Sequence, residues 1–179
     1  MKKLSMEQLN RVDVETYKEL PKIPLTVVLD NVRSLNNIGS VFRTSDAFRV
    51  SAVYLCGITA TPPHKEIHKT ALGAEDSVDW LYFETVKEAV ERLKSEDVKI
   101  YAVEQAEGSQ MLQDFSLERG QKTAVIFGNE VDGVSDEIMD EVDGAIEIPQ
   151  FGTKHSLNVS VTAGIVIWDM ARKLFLSEH

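Results

Sequence analysis

Residues 148–169 read IPQFGTKHSLNVSVTAGIVIWD: a strand end, a polar turn and an almost wholly apolar helix in immediate succession. Between the apolar halves stand Gly152, Lys154, His155, Ser156 and Asn158, a dense polar set at the mouth of a buried element. Small hydroxyls, an amide and a glycine suit a backbone that must come close to a bound ligand. Residues 31–46, NVRSLNNIGSVFRTSD, have the same character: a strand end, then a polar loop opening a helix. The parallel predicts that the two stretches meet in space and form one site.

Outward from these stretches, apolar runs and amphipathic segments alternate. The run 25–29 (LTVVL) is short and rich in β-branched residues, which predicts a buried strand. Further strands are predicted at 52–56, 78–83, 99–103, 123–127 and 145–148, with helices at 38–48, 85–94 and 158–175. In the helix over 85–94, Val86, Ala89, Val90 and Leu93 share one face, and Thr85 and Glu88 have capping-box spacing. Ser135 is placed to cap a short helix that begins with Asp136 and Glu137. Residues 1–20 read as an N-terminal helical extension, helical over 5–20 and ended by Pro21 and Pro24. Residues 21–179 then form the main domain. The twenty or so residues after Cys56, with Pro62, Pro63 and Gly73, read as one long loop.

Strands alternating with helices predict an α/β fold, a mostly parallel sheet flanked by helices. Ligands of such sheets bind beyond the carboxyl ends of the strands, where Asn31, Glu104, Gly128 and Pro149 fall. The closing helix carries Val159, Val161, Ile165, Val166, Ile167, Trp168 and Met170, which go nearly all the way round it. A helix apolar on every face must be covered on every face. The sheet covers one side, and a second subunit is expected on the other.

Composition narrows the function classes. Apolar residues make up 43% of the 179 and charged residues 27%, as in ordinary soluble domains. No apolar run approaches the roughly 20 residues that span a bilayer, and residues 1–13 lack the apolar centre of a signal peptide, so a cytoplasmic location without membrane contact is expected. Cys56 is the only cysteine, which excludes an internal disulfide. A net charge of −10 argues against indiscriminate phosphate-backbone binding, yet Arg33, Arg43, Lys65, Lys69, Lys122 and Lys154 lie in or near the polar loops.

The familiar nucleotide loops are missing. FGNEVDG has neither the glycine spacing of a dinucleotide fingerprint nor the Gly-Lys-Ser/Thr end of a P-loop. His64 and His68 sit four apart near Cys56, but no fourth ligand is convincing, and a solvated loop is favoured over a metal site. Arg43 reads equally as a partner of Asp46 and as a guanidinium fork aimed at an anion. Asn37, Ser156 and Asn158 each suit a helix cap when taken alone, and Glu130 a surface acid. Ser156 beside His155 leaves a serine hydrolase as a weak alternative.

In combination, NNIGSVFRTSDA (36–47), AVIFGNEVDGVS (124–135) and IPQFGTKHSLNVSVTAGI (148–165) resemble, in order, the motifs of the SPOUT class, specifically SpoU/TrmH-type RNA ribose 2′-O-methyltransferases. The intervening KTALGAEDSVDW (69–80) also matches, and the resemblance covers roughly residues 25–172. It implies a C-terminal trefoil knot that includes the turn 150–158, S-adenosyl-L-methionine as cofactor, an RNA partner and a homodimer through the last helix. By motif position the cofactor contacts fall on Glu104, Gly128, Ile148 and Leu157. The catalytic set falls on Arg43, Asn37, Glu130, Ser156 and Asn158. The substrate expected is tRNA, with ribosomal RNA as the alternative; a catalytically idle module of the same fold is the reading from a different class.

Overall fold

The alternation of β1 (Ile23–Asp30) sorts the hydrophobic core into two layers. Leu25, Val27 and Leu29 point into one cluster with Ile38, Phe42, Ala163, Val166, Ile167 and Met170. Val28 points the other way, with Ala124, Ile126, Val86, Ala89, Val90 and Leu93. Strands buried on both faces read as continuous apolar runs, and that is what made them visible in the sequence. This is the arrangement of a computed structural model that describes residues 1–179 except Met6, Asn10, Arg119 and 176–179.

The chain passes through a 3₁₀ turn at Glu7–Leu9, α1 (Val14–Glu19), β1, α2 (Leu35–Ala47), β2 (Val50–Cys56), α3 (Lys65–Ala71), α4 (Ala74–Ser77) and β3 (Trp80–Phe83). It continues through α5 (Val86–Ser95), β4 (Lys99–Val103), β5 (Gln110–Met111), β6 (Thr123–Phe127), α6 (Asp136–Met139), β7 (Gly144–Glu147) and α7 (Val159–Phe175). The sheet order is β3-β2-β1-β6-β4-β7-β5, and every neighbouring pair is parallel. The mostly parallel α/β sheet flanked by helices is therefore as expected. The carboxyl ends of β1, β6, β4 and β7 consequently lie side by side on one edge, which is where a ligand site belongs in such a sheet.

Three expectations change. Residues 57–77 are not one loop, because α3 and α4 lie within them. Both helices are short, and their caps are unusual: His64 Nδ1 accepts from Glu66 N at the start of α3, and Leu72 takes the left-handed conformation at its end. The N-terminal helix is shorter than 5–20, because the Asp13 side chain accepts from Thr16 N and starts α1 there; Pro24 lies inside β1. Ser135 precedes α6, yet its side chain makes no capping bond. At α5, Thr85 Oγ1 accepts from Glu88 N as expected.

The last helix buries Ala163, Val166, Ile167 and Met170 against the sheet and α2, with Phe48 and Trp168 in ring contact at 5.6 Å. Val161, Ile165 and Trp168, spaced i, i+4, i+7, remain on the surface at 51%, 37% and 48% exposure. Among the described residues no helix is long and apolar enough to cross a membrane.

Close approach of α2 to α3 rests on Gly39. A Cβ placed there would fall 2.1 Å from Thr70 Oγ1 and 2.3 Å from the Ile67 carbonyl oxygen. Helix propensity alone favours alanine over glycine by about 0.5–1 kcal/mol. The clash outweighs it, because a backbone carbonyl cannot move aside. Gly39→Ala is expected to lower unfolding stability by about 1–3 kcal/mol in a urea titration; a stabilised variant would contradict this packing. Cys56 is fully buried, and burial pushes its thiol up to about 12. In the folded protein it should stay silent to an aromatic disulfide reagent near neutral pH and react once the chain is unfolded.

Candidate active site

At the carboxyl edge of the sheet, the ends of β4, β6 and β7 and the turn before α7 enclose a cavity of about 440 Å³. Sequence reasoning placed Glu104, Gly128, Ile148 and Leu157 at a cofactor, and all four line it. Glu130, Ser156 and Asn158 line it as well. Asn37 does not, but its Nδ2 donates to Glu130 Oε1 at 3.0 Å, so it is one hydrogen bond away. Arg43 is exposed on α2, does not line the cavity, and has no polar partner among the described residues. The alternative ion pair with Asp46 does not form: Asp46 Oδ1 accepts from Ser77 Oγ at 2.6 Å.

Within one chain the two stretches meet where α2 packs against α7, and a third ties the polar start of α2 to the cavity. The loop leaving β6 begins with Gly128, where a Cβ would overlap the Gly133 backbone at about 2 Å, closing the loop on itself. Asn129 Oδ1 accepts from Val131 N and Asp132 N, both at 2.8 Å, and shapes the turn. From this turn Glu130 reaches the start of α2, where its carboxyl oxygens accept from Arg33 N and Ser34 N at 3.3 Å and from Asn37 Nδ2. A carboxylate at the positive end of a helix dipole is favoured there. Burial would raise the Glu130 carboxyl, but the Asn37 amide and the backbone N–H groups of Glu130, Arg33 and Ser34 outweigh it and hold it below its ordinary value.

On the opposite wall, Asn158 Oδ1 accepts from Ser160 N at 2.9 Å and Ser160 Oγ at 2.7 Å, so it does cap α7 while its side of the turn faces the cavity. Ser156 is exposed and has no hydrogen-bond partner among the described residues, so nothing orients His155 as its base. Gln105 Nε2 donates to the His155 carbonyl at 3.0 Å, the one hydrogen bond that holds residues 150–157 among the described residues. Gln105 and Gly133 also line the cavity and were not singled out from sequence. Gln105 directly follows Glu104 at a strand end, and that position was its available signal.

The lining has two chemical halves. Val103, Phe127, Ile146, Ile148, Leu157 and Val159 give apolar walls of the kind that hold a flat ring. Glu104, Glu130, Asp132 and Glu147 supply acid, and no Lys or Arg is among the described residues that line the cavity. A cationic ligand with an apolar ring body fits such a lining, and a polyphosphate does not. His64 and His68 lie elsewhere: His64 caps α3, and His68 Nδ1 is 2.6 Å from Glu75 Oε1.

Comparison with known proteins agrees with this geometry. The profile of the SpoU rRNA Methylase family matches residues 24–168. A tRNA (guanosine(18)-2′-O)-methyltransferase of Thermus thermophilus is 33% identical over 152 residues, covering 83% of this chain and 75% of that protein. A 23S rRNA (guanosine-2′-O-)-methyltransferase RlmB of Neisseria meningitidis is 29% identical over 171 residues, covering 95% and 67%. The crystal structure of an AdoMet-bound rRNA methyltransferase from Sinorhizobium meliloti superposes with a TM-score of 0.80 at 25% identity, covering 89% of this chain and 60% of that one. On a match that spans most of its length, the chain belongs to the SpoU rRNA methylase family.

Proposed function

We propose that this chain transfers a methyl group from S-adenosyl-L-methionine to a ribose 2′-hydroxyl of RNA, with tRNA as the substrate and ribosomal RNA as the alternative. The observation that carries the reading is the cavity itself, which collects Glu104, Gly128, Glu130, Ile148, Ser156, Leu157 and Asn158 at one sheet edge. Its acidic, cation-free lining suits a sulfonium, and its apolar walls suit an adenine. The cofactor supplies an electrophilic methyl group. The remaining work falls to side chains: holding the hydroxyl in line, easing its proton away and fixing the neighbouring phosphate.

Arg43 is assigned to the phosphate. A guanidinium stays protonated, so it serves poorly as a base but well as a fork for a phosphate beside the hydroxyl, whose acidity it raises through its field. Among the described residues no carboxyl pairs with it, which leaves it available. Glu130, through Asn37, holds the start of the helix that carries it, and Ser156 and Asn158 line the cavity. Arg43 lies outside the cavity of its own chain, and the Val161, Ile165 and Trp168 stripe lies open, so we assign a homodimer through α7 in which one copy completes the site of the other. A knotted path for 148–158 is assigned on family membership. Residues 1–20 are assigned as an extension to the domain over 21–179, and the location as cytoplasmic.

Methyl transfer from labelled S-adenosyl-L-methionine to fractionated total RNA, followed by nucleoside analysis, tests the reading. Label in a single 2′-O-methyl nucleoside of the tRNA fraction is expected; label only in ribosomal RNA would shift the substrate, and no binding of the cofactor would overturn the assignment. Arg43→Ala should cut kcat by about a hundredfold or more while cofactor affinity stays within about threefold. The carboxyl of Glu130, held below its ordinary value, contributes stability that is complete above that ordinary value and lost as pH falls through its lowered folded value. The start of α2 should therefore loosen in acid, seen as lower amide protection factors at 34–37 (each rate taken relative to the intrinsic rate at that pH), and Glu130→Gln should abolish that change in protection.

A further inference from the structure

Asp30, the last residue of β1, is fully buried, and no part of the reaction described above uses it. Burying a carboxyl is costly unless its oxygens are satisfied. Here both accept: Oδ1 from Asn31 Nδ2 at 2.8 Å, and Oδ2 from the Ser135 backbone N–H at 2.8 Å, 105 residues away. The neighbouring amide, Val134 N, donates the opposite way, to Glu104 Oε2 at 3.1 Å. In the sheet β6 lies between β1 and β4, so the loop leaving β6 is tied at consecutive amides to the carboxyl ends of both neighbouring strands. That same loop carries Glu130 to the start of α2.

We propose that Asp30 is a positioning residue for methyl transfer. Its carboxyl fixes the Ser135 end of the 128–135 wall, and so the place from which Glu130 orients the helix bearing Arg43. The role rests on the methyl-transfer reading above. Glu104 holds the side of the wall that faces the cavity, and Asp30 holds the far side. Loss of Asp30 should accordingly act on turnover more than on cofactor binding.

The Asn31 amide and the Ser135 N–H are both donors, so Asp30→Asn must present its own NH₂ to one of them and release it. Ser135 has φ −57 and ψ 129, within reach of proline, so Ser135→Pro deletes the N–H without asking that residue for a new conformation. The full chain, each single variant and the double variant are compared by amide exchange and by steady-state transfer from labelled cofactor to RNA. In Asp30→Asn, exchange over 128–135 and 34–37 should quicken about tenfold, with the strands of the sheet unchanged. Its kcat should fall about tenfold, with KM for the cofactor within about threefold. Ser135→Pro should reproduce both effects, and the double variant should be no worse than either alone. Additive losses, unchanged exchange at 128–135, or a lower melting temperature with kcat intact would each overturn the proposal. Should Asp30→Asn not fold, Ser135→Pro decides by the same readouts. The exchange result stands without turnover, so a chain that transfers no methyl at all would sink the functional reading and leave the tether testable.

Discussion

Three donors from the start of α2 converge on the carboxyl of Glu130, and the geometry of the site depends on that convergence. Arg33 N, Ser34 N and Asn37 Nδ2 come from a loop and helix that follow β1, while Glu130 comes from the turn that follows β6. Parallel pairing of those two strands puts both connections on the same edge, and the carboxylate then joins them. The helix dipole and the amide favour the charged form, which is why the carboxyl sits below its ordinary value despite partial burial. An apolar residue at this position would remove the acceptor that two backbone donors and an amide share.

The same edge explains why a nucleotide-sized ligand can be held without a glycine-rich phosphate loop. Phosphate cradles use amides and cations to meet negative charge. This cavity does the reverse, with Glu104, Glu130, Asp132 and Glu147 around apolar walls. The chain's net charge of −10 is consistent with that chemistry, because acid near the cofactor costs nothing when the cofactor is a cation. The polyanionic substrate must then be met elsewhere. Arg43, outside the cavity and without a carboxyl partner among the described residues, is the kind of group that meets it.

Much of this was legible in the sequence, for identifiable reasons. The runs LTVVL and TAVIF are buried on both faces, so composition alone marks them as strands. α5 announces itself because Val86, Ala89, Val90 and Leu93 all fall on its buried side. The hidden parts are those whose order comes from tertiary contact. α3 and α4 have 7 and 4 residues and are started by a histidine and a left-handed glycine, so no periodic pattern or favoured cap could develop. β5 has 2 residues and exists because β7 offers it an edge. The stretches 31–46 and 148–169 were expected to meet, and they do, where α2 packs against α7. The polar start of α2 reaches the cavity through Glu130, a residue that on its own reads as a surface acid.

Asp30 shows where single-residue reading stops. A carboxylate at the end of an apolar strand looks like the first residue of a loop, and sequence offers no reason to bury it. The structure supplies one, because the strand next to β1 is β6, and the part-buried Ser135 amide of the loop leaving β6 needs an acceptor. An apolar side chain in that place would leave the Ser135 N–H without its partner, and a neutral amide would satisfy only one of the two donors that face it. The cost of burying the acid is therefore offset by two hydrogen bonds, one of which spans 105 residues. That long-range bond fixes a wall of the cavity to the centre of the sheet, the part of the molecule least able to move.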